Sequence, residues 1–163
     1  LSRPSKDEWL MSFAMLASIR STCVRRSVGC VFADKDGFIL AIGHNGVSAG
    51  QPHCNDGAPC EGASAASGVA LDLCAAIHAE QNCVLGLRDR RDLHSVYVTV
   101  SPCVSCLKLL LNTTCQRIVF LDEYVEASGK ALWLKEGRVW ININASSSAF
   151  LSTIKMTLPT WGR

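Results

Sequence analysis

From residue 96 onward the chain alternates between two hydrophobic periods, and this limits the possible fold more than any other feature of its 163 residues. Val96 to Val100 is a β-prone run, Pro102 to Leu111 is helical in period, and Arg117 to Leu121 is β-prone again. Val125 to Lys135 predicts another helix, with Gly137 suited to its C-terminal cap, and Val139 to Ile143 predicts the last strand. A helix between two strands leaves them parallel, because the crossover returns the chain to the same end of the sheet. The first half reads differently. Ser5-Lys6-Asp7-Glu8 has the form of a capping box, and Leu10, Phe13, Ala14 and Ala17 follow at helical spacing to about Arg20. Val28 to Phe32 and Phe38 to Ile42, joined by Asp34-Lys35-Asp36-Gly37, predict an antiparallel hairpin. A helix over roughly His78 to Leu87, or starting earlier, precedes the alternating half. The expectation is an α/β fold, a three-layer α/β/α sandwich. Its five-stranded mixed sheet has a hairpin at one edge and helices on both faces, in one domain of residues 1–163. Residues 144–163 give no clean period and are expected to pack as a tail or to meet a partner subunit.

The composition, 48% hydrophobic and 18% charged, suits one buried core and excludes a disordered chain. Apolar stretches are interrupted before they reach membrane-spanning length, so no membrane association is expected. The first residue is Leu1, which predicts a trimmed chain. No basic-then-apolar leader precedes the first helix, which predicts a cytoplasmic protein, or one of the host cytoplasm if phage-encoded. A formal charge of +2 is too small to argue for a nucleic-acid surface. The pair Arg25-Arg26 and the group Arg88, Arg90 and Arg91 read as solvated faces rather than phosphate sites. Nine cysteines form an odd count, which favours reduced thiols, some of them metal ligands, over a disulfide framework.

The chemistry concentrates in His78-Ala79-Glu80 and in Pro102-Cys103-Val104-Ser105-Cys106, 25 residues after the histidine. Cys103 and Cys106 are three apart, so on a helix they share a face and can grip one ion. Ser101 is a favoured N-cap and Pro102 a favoured first helical residue, which predicts both thiols in the opening turns, where the helix dipole favours thiolate. His78 supplies a third ligand. Three protein ligands leave the fourth tetrahedral position to water, the arrangement of a catalytic zinc. Glu80, two residues from His78, does not share its helix face and is placed to shuttle protons beside that water. The combination His-x-Glu with Pro-Cys-x-x-Cys is the signature of zinc nucleobase deaminases.

The chain also resembles a narrower family, the deoxycytidylate deaminases of bacteria and phages. The resemblance runs from about Trp9 to Leu121, and more weakly to Ile143. It is carried by Arg20-Ser21-Thr22-Cys23-Val24-Arg25-Arg26, Val28-Gly29-Cys30, Gly43-His44-Asn45-Gly46 and Pro52-His53-Cys54. Cys74, His78-Ala79-Glu80-Gln81-Asn82 and Ser101-Pro102-Cys103 complete it. It implies a cytidine deaminase-like fold and hydrolysis of dCMP to dUMP and ammonia, with His78, Cys103 and Cys106 on zinc and Glu80 as acid/base. It further implies that Asn45 contacts the nucleoside and that Ser101 offers its carbonyl to the exocyclic amine. Tyr124, Arg20 and Lys108 fall where the nucleotide or its phosphate is expected. Family members are often homohexamers controlled by dCTP and dTTP with Mg²⁺ through a Gly-Tyr-Asn-Gly-x-Pro-x-Gly segment. Here the matching stretch, His44, Asn45 and Gly46 through Gly50, has His for Tyr and Ser48 for Pro.

A second zinc is expected at Cys23, Cys54, Cys60 and Cys74. Residues 43–68 are rich in Gly, Ser, Asn and Ala, and a loop that long with little apolar content needs a staple. His53 could replace one of the thiols. Cys23, Cys54 and Cys74 match cysteines of the bacterial deaminases, and phage relatives carry a second zinc here. The alternatives are a deaminase acting on a base in RNA, such as a tRNA adenosine deaminase, and a non-catalytic zinc-stapled binding module. Strand–helix–strand order at the end of the sheet argues against the free-cytidine branch, whose last strands are antiparallel.

Overall fold

The capping box at Ser5 forms: the Glu8 N–H donates to Ser5 Oγ at 3.2 Å, and the Ser5 N–H donates to Glu8 Oε2 at 2.7 Å. It opens helix α1 (Lys6–Ser18) of a computed structural model that describes residues 3–66, 69–124, 128–144, 146 and 148–158. Strands β1 (Gly29–Ala33) and β2 (Ile39–His44) pair antiparallel as the predicted hairpin. After β3 (Gly46–Val47) the chain makes 3₁₀ turns at Cys54–Asp56, Glu61–Ser64 and Leu71–Leu73, then returns through β4 (Ala76–Ile77) into α2 (Ala79–Gly86). The alternating half follows as β5 (Ser95–Val100), α3 (Val104–Leu111), β6 (Arg117–Asp122), α4 (Ser128–Lys135) and β7 (Val139–Asn142). A last helix, α5, spans Ala149–Thr157. The five-stranded sheet has the order β2-β1-β5-β6-β7, parallel between β5, β6 and β7 and antiparallel elsewhere.

Strand alternation builds the three layers. Val31, Tyr97 and Val119 point to one face, where Leu10, Met11 and Met15 of α1 and Leu151 of α5 cover them. Phe32, Val96, Val98, Ile118 and Phe120 point to the other, under Ala79 and Cys83 of α2, Leu107 and Leu110 of α3 and Trp133 of α4. Each large side chain fully buried this way contributes about 1.5–3 kcal/mol. Two glycines set how closely the layers approach. A Cβ on Gly29 would sit 1.9 Å from the Ala14 carbonyl of α1, and one on Gly43 would sit 2.5 Å from the Ala79 carbonyl of α2. Arg117 holds α1 to the sheet through Asp7, with contacts of 2.8 and 3.2 Å, and the Tyr97 hydroxyl donates to the same carboxylate at 2.7 Å.

Four boundaries differ from expectation. The helix predicted from Pro102 starts at Val104 with Cys103 as its N-cap, and Ser101 is not the cap. The reason is that the Ser101 N–H still donates to the Asp122 carbonyl at 2.8 Å, so the residue extends the β5–β6 ladder. His78 is likewise the N-cap of α2 and not its first turn. The stretch read as loop from residue 43 contains β3, which pairs with β4 and ties the two ends of the excursion together. The tail without a clear period contains α5, capped by Ser148 accepting from the Leu151 N–H at 3.2 Å; residues 159–163 lie outside the described residues. Residues 125–127, expected to start α4, also lie outside them. Gly137, at φ +70°, ends α4 as expected, its N–H on the Leu134 carbonyl at 2.9 Å. No helix among the described residues is long and apolar enough to cross a membrane.

Candidate active site

The entry into α2 and the entry into α3 face each other at the carboxyl ends of the central strands. The Gln81 side chain reaches back to accept the His78 N–H at 2.8 Å, fixing the turn that presents the imidazole. His78 Nδ1 lies 3.5 Å from Cys103 Sγ and 3.4 Å from Cys106 Sγ, and all three ligand atoms lie within 4.8 Å of one another. Tetrahedral zinc, with Zn–S near 2.3 Å and Zn–N near 2.0–2.1 Å, separates a sulfur from a nitrogen by about 3.5 Å. The three side chains therefore fit that ion. The thiols are already polarised: the hydrogen bond from Cys106 and then the contact with His78 push Cys103 down to about 4. Cys106 moves in the opposite direction, raised by its bond to Cys103 and by burial.

Glu80 lies beside this trio with its carboxyl against Cys106, and burial pushes it up to about 7, partly offset by its own backbone N–H and by His78. A carboxyl with that value can take and return a proton near neutrality. It lines a pocket together with Val28, Val100, His78 and Cys103. Asn45, Ser101 and Tyr124 line the same pocket. Asn45 is buried and its amide orientation is determined by three bonds: Oδ1 accepts from the Val28 N–H (2.8 Å) and Ser21 Oγ (2.7 Å), and Nδ2 donates to the Arg26 carbonyl (2.7 Å). Its second Nδ2 hydrogen remains for a ligand. Ser101 Oγ accepts the Tyr124 N–H at 2.6 Å, which locks the turn after β6 over the pocket.

The remaining expected site residues are placed elsewhere. Arg20 and Lys108 are exposed and do not line this pocket. His44 is half-buried outside it; its carbonyl accepts from Asn82 Nδ2 at 2.7 Å, and burial, then the Arg20 charge, lowers its imidazole pKa. Gly46 has no room for a side chain, since a Cβ would meet Thr22 Oγ1 at 2.7 Å, whereas Gly50 sits at φ +82° in open space. Arg25 and Arg26, read from the sequence as a solvated pair, both line the pocket. The available signal was their place, separated only by Ser27, before Val28, which lines the pocket where the chain enters β1.

Cys54, Cys60 and Cys74 stand on or beside the three 3₁₀ turns, with Cys23 opposite. Backbone N–H groups of Ala75 and Gly62 bond the Cys60 sulfur and lower its pKa, with Cys54 and Cys74 also in contact. Burial raises Cys54 and Cys74, opposed by the N–H groups of Cys60 and Ala76 respectively. Among the described residues, His78, Cys103 and Cys106 are the one set of three ligand atoms within 4.8 Å. Cys23 and Cys74 also line the pocket, so the two cysteine groups share a wall.

A sequence model described as the cytidine and deoxycytidylate deaminase zinc-binding region matches residues 4–122. The chain is 35% identical over 126 residues to the deoxycytidylate deaminase of Schizosaccharomyces pombe, covering 75% of this chain and 38% of that one. It is 36% identical over 130 residues to the deoxycytidylate deaminase of Mycobacterium phage D29, covering 76% of this chain and 99% of the phage protein. The chain thus spans about two fifths of the length of its yeast relatives and nearly all of the phage one. The crystal structure of the dCMP deaminase of cyanophage S-TIM5 in complex with dCMP and dUMP superposes with a TM-score of 0.69 at 26% identity. That overlap covers 88% of this chain and all of the phage chain.

Proposed function

The chain belongs to the cytidine and deoxycytidylate deaminase zinc-binding family, and on that premise we propose that it hydrolyses dCMP to dUMP and ammonia. The observation that carries the reading is the zinc-sized trio of His78, Cys103 and Cys106 with buried Glu80 beside it, lining the same pocket. Zinc would be held there by His78, Cys103 and Cys106 and would supply an acidified water near neutral pH. Glu80 is placed to take a proton from the attacking water, to deliver one to the ring nitrogen next to the reacting carbon, and to carry one to the departing amine. The ring gains the water oxygen as its C–N bond breaks, and the products are dUMP and ammonia. Asn45, with one amide hydrogen uncommitted, holds a sugar hydroxyl, and the Ser101 carbonyl receives the exocyclic amine. Val28, Val100 and Ala79 give the base an apolar slot that keeps bulk water from Glu80.

Three finer features belong to the same proposal. Cys23, Cys54, Cys60 and Cys74 bind a second, structural zinc; the N–H groups directed at three of these sulfurs supply the backbone support that a thiolate site needs. The chain forms a homohexamer. It responds to dCTP and dTTP with Mg²⁺ through the segment from His44 to Gly50. The deciding experiment is ammonia release from a panel of dCMP, CMP, dCTP, deoxycytidine and tRNA by zinc-loaded protein. The expected result is fastest turnover of dCMP; faster turnover of deoxycytidine or of tRNA adenosine overturns the assignment.

A further inference from the structure

Asn45 is buried, and nearly every polar atom it carries is already engaged. Its N–H donates to the Val28 carbonyl at 3.1 Å, and its carbonyl accepts the Thr22 N–H at 3.4 Å. In the side chain, Oδ1 takes the Val28 N–H and the Ser21 hydroxyl, and Nδ2 gives one hydrogen to the Arg26 carbonyl. These partners all lie between α1 and β1, so Asn45 pins that segment to the end of β2. Thr22, Arg26 and Val28 act through their backbone; Ser21 acts through its side chain. Ser21 is itself fixed from two sides. Its N–H donates to the Ser18 carbonyl at 2.9 Å, where α1 ends, and its Oγ accepts the Cys23 N–H at 3.3 Å. A hydroxyl has one hydrogen to give, and Asn45 Oδ1 offers only lone pairs, so that hydrogen goes to Asn45. The backbone partners decide which way round the amide sits, because a flip would set two donors together at Val28 and two acceptors together at Arg26. The Ser21 bond fills the second lone pair of Oδ1 and adds the contact that holds the amide plane. With the plane held, the direction of the one remaining Nδ2 hydrogen is held too.

Resting on the reading of dCMP as substrate, we infer that Ser21 is a positioning residue, whose hydroxyl aims the uncommitted Asn45 N–H at the 3′-hydroxyl of the sugar. dCMP has one free sugar hydroxyl, because its 2′ carbon carries none and its 5′ oxygen is esterified. An amide hydrogen spared for the sugar therefore has a single partner to meet. Asn45 lines the pocket with Glu80 and Ser21 does not, so Ser21 acts through Asn45 and touches no substrate. Without the Ser21 hydroxyl, Oδ1 keeps a buried lone pair unpaired and the amide turns to find another donor, taking its free N–H off the sugar.

The test removes one hydroxyl from the protein and one from the substrate. Ser21→Ala, Ser21→Thr and the unmodified protein are assayed on dCMP and on 2′,3′-dideoxycytidine monophosphate, with zinc content and thermal melting as controls. In the unmodified protein the dideoxy substrate should be poorer by roughly 5–50-fold in kcat/KM, the range for losing one hydrogen bond to a buried donor. In Ser21→Ala that ratio should shrink to about threefold or less, because dCMP loses roughly 3–20-fold and the dideoxy substrate about twofold at most. The loss should appear in KM with kcat held, since a sugar contact is the same in the ground and transition states. Ser21→Thr keeps the hydroxyl and should keep the ratio. Ser21→Ala is expected to fold, because Asn45 retains its four other bonds. Should it not, Ser21→Cys, a weaker donor, decides through the same ratio, which should fall below that of the unmodified protein. Equal losses on both substrates, or an unchanged ratio in the variant that decides, overturn the inference while leaving dCMP as substrate. Equal turnover of the two substrates by the unmodified protein also overturns it, since Asn45 then holds no sugar hydroxyl. Failure of the unmodified protein to deaminate dCMP removes both readings.

Discussion

The two cysteine groups offer the same ligand chemistry on unlike supports. Cys103, Cys106 and His78 stand where helices leave a sheet whose core is dry; Cys106, Leu107 and Leu110 are all at 0% exposure. Their backbone is held by strand ladders and helix starts, which bring the ligand atoms within 4.8 Å of one another. Cys54, Cys60 and Cys74 stand on or beside 3₁₀ turns in a stretch of small and polar residues, where few apolar side chains are buried. There the order comes from the short β3–β4 ribbon, the bond from Arg25 Nη2 to the Val69 carbonyl and N–H bonds to sulfur. A site built on packed elements is held by the fold around it, whereas a site built on turns gains more of its order from a bound metal.

The most severe disturbance should come from Glu80→Gln in the packed region. The amide preserves shape but cannot move protons, so turnover should fall about 10²–10⁴-fold with zinc content and melting temperature retained. Single-turnover kinetics beside elemental analysis checks this, and near-normal rates in zinc-loaded protein would place the proton transfer on another group. The contrast between the regions is sharpest in Cys54→Ser. Zinc should drop from two ions per chain to one and the melting temperature should fall by about 5 °C or more. Cys103→Ala, which costs the other ion, should leave the melting temperature nearly unchanged. One zinc in the unmodified protein, with Cys23, Cys54, Cys60 and Cys74 all reactive toward a thiol reagent, would break the comparison.

Gly43→Ala probes the packed region without touching a ligand. Its Cβ meets the Ala79 carbonyl at 2.5 Å and Cys83 Sγ at 2.9 Å, so α2 must shift, at a cost of about 1–3 kcal/mol. Denaturant unfolding should register that loss, and kcat should fall with it because α2 carries Glu80. The smallest effect, in neither region, belongs to Glu8, whose carboxylate caps α1 and meets the Ser148 hydroxyl that caps α5. Its pKa is lowered from 4.5 by the bond from Ser148 first and then by Ser5. A depressed folded-state pKa stabilises the fold above 4.5 and loses that contribution as pH falls through the lower value. Glu8→Gln should therefore cost less than about 1 kcal/mol at neutral pH and flatten the acid limb of a stability profile.

Much of this was legible in order along the chain. The hairpin, the capping box, the parallel crossovers and the His78–Cys106 trio all rest on local period or fixed spacing, which the backbone translates directly into direction. The N-terminus of α3 was misplaced by two residues, because Ser101 is a good cap locally but is claimed by Asp122 across the sheet. Helix α5 was missed because a single buried side chain, Leu151, carries its docking and the rest of its face is half-covered. Arg25-Arg26 looked like solvated charge because nothing in the local sequence reveals that a pocket opens on that turn.

By itself, then, the sequence determined the layers, the strand directions and which residues could share a zinc, since hydrophobic period and ligand type are local properties of the chain. Only the tertiary structure decided that Glu80 is desolvated and rises toward neutrality, that Arg25 and Arg26 line a pocket, and that the cysteine-bearing turns border it. Those properties depend on desolvation and on contacts between residues tens of positions apart, which exist only once the layers have closed.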